Sequence, residues 1–168
     1  MDTYTLSALT EYISKQIPIK GLSISSENTI TINYYENTSE TDKTEINNLI
    51  EKFKLENVKR EKLKQIDSDF ENTTKQGWDS GQGFSLGITA QDVSLLVGLF
   101  VLAKEAATMG LNPPPVIDMN GGIHALSMQE LTQLMLQYGQ ARAQISANDA
   151  MRRKAVENAT TIEELNNI

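Results

Sequence analysis

Asn120-Gly121-Gly122-Ile123-His124-Ala125-Leu126-Ser127-Met128-Gln129-Glu130-Leu131 is the stretch from which the organisation of this chain can be read. Two glycines behind an asparagine tolerate the positive φ of a tight turn, so Ile123 to Leu126 reads as a short extended return. Ser127 with Glu130 three residues later is a capping box: the hydroxyl accepts from the third helical amide and the carboxylate answers the cap amide. A long helix follows. Leu131, Leu134, Met135, Tyr138, Ala141, Ile145, Met151 and Ala155 recur at spacings of three and four or their multiples, which sustains one face for about 30 residues, or roughly 45 Å of rod. Alanine dominates its second half (Ala141, Ala143, Ala147, Ala150, Ala155) and permits another helix to approach closely. A second box, Thr161 to Glu164, restarts the chain as a last helical turn carrying Leu165 and Ile168.

Working backwards, Pro113-Pro114-Pro115 is a stiff extended link, and Val116, Ile117 and Met119 lead into the glycine turn. Thr89 with Asp92 caps a helix predicted to run to about Thr108, ended by Met109-Gly110. Leu95, Leu96, Val97, Leu99, Phe100, Val101 and Leu102 surround most of that helix, whereas a surface helix of a lone small domain carries one apolar stripe. It therefore needs cover from the long C-terminal helix, from a neighbouring subunit, and on this reading from both. Before it, Gly77-Trp78-Asp79-Ser80-Gly81-Gln82-Gly83 is a glycine-rich turn holding the only tryptophan, and Phe84, Leu86 and Ile88 follow at period two.

The N-terminal part reads as a separate piece. Leu6, Leu9, Ile13 and Ile17 share a helix face that Pro18 closes. Leu22 and Ile24, then Ile30, Ile32 and Tyr34, alternate with polar residues about a turn at Ser26-Glu27-Asn28, the pattern of a hairpin with one buried face. Ser39 with Asp42 starts a second amphipathic helix bearing Ile46, Leu49, Ile50 and Phe53, and Leu63, Ile66 and Phe70 continue as a charged connector. The expected fold class is α+β: a small N-terminal helix-hairpin-helix unit over 1–54, a helical connector over 55–76, and a mainly helical domain over 77–168 with short β-hairpins and a long C-terminal helix.

Composition narrows the function classes. The 168 residues carry 15 basic and 22 acidic side chains, a formal charge of −7. Lys52, Lys54, Lys59, Arg60, Lys62 and Lys64 are interleaved with Glu51, Glu56 and Glu61, as on a solvated helix face. No nucleic-acid partner is expected, because phosphate binding needs a one-signed basic surface. Cysteine is absent, so disulfides and thiolate chemistry are excluded. The N-terminus has no basic segment leading an apolar core, and Val93 to Ala103 is about half the roughly 20 residues of a membrane span; no secretory signal and no membrane insertion are expected.

Catalytic grammar is equally sparse. The Gly77 to Gly83 turn lacks the Gly-Lys-Ser/Thr ending of a phosphate loop. His124 is the sole histidine and reads as a strand-face surface residue, and a His-His-carboxylate metal site cannot form within one chain. Asp67 and Asp69 are two apart on a helix and do not face each other. Arg142, Arg152, Arg153 and Lys154 complement the helix dipole as a solvated face, with contact to an acidic partner as the secondary reading. No catalytic, cofactor-binding or metal-binding residue is expected. The candidate site is an interface: Leu95, Leu96, Leu99, Phe100 and Leu102 on the apolar helix with Leu134, Tyr138, Ala141 and Ile145 on the long one.

The order of these features resembles the domain of unknown function 4376 family, carried by tail-fibre and tail-assembly proteins of tailed bacteriophages and prophages. The resemblance covers about residues 56 to 168. It consists of the charged helix, Gly77-Trp78 before Phe84-Ser85-Leu86, the apolar helix, the Asn120-Gly121-Gly122 hairpin, Leu126-Ser127-x-x-Glu130-Leu131, and the tail Ala159-Thr160-Thr161-Ile162-Glu163-Glu164-Leu165. Ile117 stands near where relatives often have tryptophan, and residues 1–53 lie outside it. It implies a virion tail component, assembled in the host cytoplasm, that is homo- or hetero-oligomeric and binds other tail proteins such as fibre or baseplate subunits. The alternative is a tail-fibre assembly chaperone that does not stay in the virion. The family supplies no catalytic residues.

Overall fold

The computed structural model describes residues 3–24 and 30–168, and their elements are mainly helical with short two-stranded sheets. The chain divides into two compact units. One holds the described residues up to Glu61 together with Ala159–Asn167, and the other Lys62–Asn158 with Ile168.

In the first unit, α1 (Thr3–Ser14) ends in a turn where the amides of Gln16 and Ile17 both donate to the Ile13 carbonyl at 2.9 Å. Strands β1 (Gly21–Ile24) and β2 (Ile30–Asn33) pair antiparallel with Leu22 opposite Ile32. The turn expected at Ser26-Glu27-Asn28 lies outside the described residues. Helix α2 (Glu40–Gln76) starts at the anticipated cap: the Asp42 amide donates to Ser39 Oγ at 3.0 Å and the Ser39 amide to Asp42 Oδ2 at 3.3 Å. Spacings of three and four then bring Ile46, Leu49 and Ile50 onto Leu9, Ile13, Ile17 and Ile19, all buried. Tyr12 and Phe53 close this core with ring centroids 5.7 Å apart.

The expected amphipathic helix and connector are one helix of 37 residues. No glycine or proline interrupts Glu40–Gln76, and local pairs such as Lys54–Glu51 and Lys75–Glu71 support its exposed faces. The division between the units falls inside α2, after Glu61, so 55–76 belongs partly to each. Residues 159–167 join the first unit; there α5 (Ile162–Asn166), capped by Thr161 and Glu164, buries Leu165 completely.

The second unit contains β3 (Trp78–Asp79) paired with β4 (Ser85–Leu86), α3 (Ala90–Thr108), β5 (Val116–Ile117) paired with β6 (Ile123–His124), and α4 (Met128–Asn158). Two-residue strands have no independent stability. They persist because Phe84, Leu86, Ile88 and Val116 are buried in the same core as Leu96 and Ala103 of α3 and Leu131, Leu134 and Tyr138 of α4. The Met119 amide also donates to the Ser85 carbonyl at 3.0 Å, tying one hairpin to the other. Both capping boxes form here. Asp92 N donates to Thr89 Oγ1 and Thr89 N to Asp92 Oδ2; Glu130 N donates to Ser127 Oγ and Ser127 N to Glu130 Oε2. Among the described residues, no helix is long and apolar enough to cross a membrane.

Candidate functional site

Helix α3 packs on α4 along one face only. Leu96 and Ala103, seven residues apart, are buried, and Val93, Leu99 and Phe100 fill in beside them. The opposite side is uncovered and has apolar flanks: Leu95 and Leu102 are each 64% exposed, Val101 55% and Val97 47%. The structure thus divides the nine sequence-predicted interface residues. Leu96, Leu134 and Tyr138 are buried in the core of the second unit, and Leu99, Phe100, Ala141 and Ile145 are half-buried against it. Only Leu95 and Leu102 face outward in full. One of the two covers foreseen for α3 is therefore α4 of the same chain.

Sequence reasoning missed the rest of this surface. Ile117 and Ile123 are cross-strand partners on β5 and β6 and are 64% and 72% exposed. Leu95 and Ile117 line one groove of about 300 Å³, with Leu86, Leu99 and Val116 at its base or walls. The strand period carries the signal: Val116 is buried, so its neighbour Ile117 points the other way.

The polar groups near this surface satisfy one another. His124, expected on an open strand face, stacks on Phe84 with centroids 3.9 Å apart and places Nε2 2.8 Å from Asp118 Oδ2. Asp118 Oδ1 accepts from the amides of Asn120 at 2.7 Å and Gly122 at 2.8 Å. These donors, His124 first, hold the Asp118 carboxyl below the ordinary carboxylate range. In the glycine-rich turn, Ser80 Oγ donates to the Phe84 carbonyl at 2.6 Å and accepts from Gln82 N, while Asp79 accepts from Gly81 N. The turn directs its hydrogen bonds inward, as a structural turn does.

The arginines of α4 correct the reading of a plain solvated face. Arg152 Nη2 reaches Asp69 Oδ2 at 2.8 Å, and Arg153 joins Asp67 at 2.6 Å and Asp149 at 2.8 Å. Arg142 lies 5.2 Å from the Phe70 ring. Asp67 and Asp69, about 200° apart around α2, each meet a different arginine of α4. Arg152, followed by Gln65, lowers the pKa of Asp69.

Among the described residues, no group of three or more histidine, cysteine, aspartate or glutamate side chains is arranged to hold a metal ion. The geometry offers a packing surface, and the polar side chains named above are engaged in structural bonds. No protein-family model, curated protein or solved structure matches the chain.

Proposed function

We propose that this chain is a structural component of a bacteriophage tail appendage, a fibre or baseplate-attached subunit that works by oligomeric assembly with other tail proteins. The observation that carries the assembly part is the uncovered apolar side of α3 beside the exposed Ile117–Ile123 pair. Leu95, Val97, Val101, Leu102, Ile117 and Ile123 are 47 to 72% exposed. Covering them returns about 1 to 2 kcal/mol apiece, the same order in total as the roughly 4 to 15 kcal/mol that association costs. The tail setting rests on the sequence resemblance over residues 56 to 168, and places the protein in host cytoplasm during assembly and in the virion afterwards.

The test is a quantitative protein inventory of purified particles of the phage or prophage that encodes the chain. A tail subunit is present there in fixed ratio to fibre or baseplate proteins. Recovery bound to fibre protein in the producing cell, with none in particles, would make it the assembly chaperone instead. Absence from both would overturn the tail reading.

A further inference from the structure

We propose that the outer face of α3 pairs with the same face of a second copy of this chain, antiparallel, about a two-fold axis passing beside Gly98. This names the partner of the assembly surface described above and rests on that reading for its biological setting.

Steps of 100° around the helix put Leu95 and Leu102 on one flank of the exposed side, Val97 and Val101 on the other, and Gln91, Ser94, Gly98 and Glu105 between them. A two-fold axis perpendicular to the helix reverses its direction and brings each flank against the same flank of the copy. Leu95 and Leu102 are centred between residues 98 and 99, and Val97 and Val101 are centred on residue 99. The centres differ by half a residue, or about 0.8 Å along the axis. One axis therefore sets Leu95 against Leu102 of the second copy and Val97 against Val101 of the second copy at once. A surface shaped for an unrelated partner has no need of that coincidence.

Three further features agree. A Cβ added to Gly98 would meet nothing within 4 Å, so this chain leaves open the position where the axes would cross, and close approach at about 8 Å is permitted. No charged residue stands between Asp92 and Lys104, so pairing buries no ionised group at its centre. Gln91 and Glu105 are equidistant from Gly98, and the axis lets each Gln91 amide donate to Glu105 of the second copy at both ends. With the neighbouring Ile117–Ile123 pair, six large apolar side chains between 47 and 72% exposed stand on or beside this face; contiguous apolar surface of that kind marks an interaction site, and a standard interface buries roughly 800 Å² per partner. Because each copy carries −7, added salt should strengthen the pairing by screening repulsion.

The absence of cysteine makes the test clean. In the full chain, Gly98→Cys should cross-link two copies on mild oxidation. Gln91→Cys should not, since antiparallel pairing holds the two positions about 21 Å apart. Light scattering should find a dimer for the native chain, and Leu95→Glu with Leu102→Glu, both outside the core, should weaken it at least tenfold while the thermal unfolding transition stays in place. A native chain that remains monomeric at high micromolar concentration overturns the proposal, as does cross-linking of Gln91→Cys as readily as Gly98→Cys. A monomer that still joins particles refutes the pairing and leaves the tail reading intact. A dimer of the stated geometry found neither in particles nor on fibre protein does the reverse.

Discussion

The hydroxyl of Tyr138 donates to the carbonyl oxygen of Gly87 across 2.7 Å, fixing the N-terminal half of α4 to the segment that enters α3. The Trp78 ring meets the Tyr138 ring edge-on at 5.7 Å. Burial, and then the neighbouring Asp92 charge, pushes the phenol up to about 12. Tyr138→Phe should cost about 1 to 2 kcal/mol in urea unfolding, since it removes the bond and leaves an acceptor behind. The alkaline limb gives a second readout. A phenol with its folded pKa raised above the unfolded value of about 10 keeps a proton that the unfolded chain has lost, so its contribution is whole below pH 10 and falls as the pH rises toward about 12. The phenylalanine variant should show a shallower fall in that window.

Asp118 and His124 should set part of the acid limb. The carboxylate only accepts, so His124 Nε2 carries the shared hydrogen. The folded pKa of Asp118 is lowered, so the stability it confers is whole above the unfolded carboxylate value of about 3.9 and is lost as the pH falls through the lower folded value. Asp118→Asn should lower the melting temperature at neutral pH and flatten its decline in acid. Equal acid slopes for the two proteins would remove Asp118 from this role.

Gly77 and Gly121 both have positive φ, at 78° and 83°, yet they should differ sharply on substitution. At Gly121 an added Cβ meets nothing within 4 Å, so Gly121→Ala carries only the backbone strain of about 1 kcal/mol. At Gly77 the same atom would lie 2.7 Å from the Leu86 carbonyl oxygen and crowd the Met119 side chain. Gly77→Ala should therefore cost clearly more in chemical unfolding, through displacement of the β3–β4 pair. Equal costs would mean that the hairpin yields freely.

The pairs Arg152–Asp69 and Arg153–Asp67 should contribute little individually. Their side chains are between about a third and two-thirds exposed, and pairs in that setting are worth about 0.2 to 1 kcal/mol. A double-mutant cycle on Asp69→Ala and Arg152→Ala should give a coupling in that range that shrinks with added salt. A coupling several times larger and insensitive to salt would show that this pair is shielded from solvent.

Contacts that close within a few residues were legible in the amino-acid order. Ser39–Asp42, Thr89–Asp92, Ser127–Glu130 and Thr161–Glu164 were legible as caps because donor and acceptor are three positions apart, and backbone geometry alone brings them together. The Asn120-Gly121-Gly122 turn was legible for the same reason, as were the apolar spacings that place Ile46, Leu49 and Ile50 on one face. Which side of α3 stays open was only faintly legible: Gln91, Ser94, Gly98 and Glu105 form a narrow polar and small stripe, but apolar flanks on both sides of it hid the signal until the path of α4 was known. Tertiary structure alone decided that His124 stacks on Phe84, that Tyr138 reaches Gly87, and that Arg152 meets Asp69. The last two partners are 51 and 83 residues apart. Contacts at such separation depend on where the whole chain travels, and hydrophobic burial sets that path without regard to direction or residue spacing.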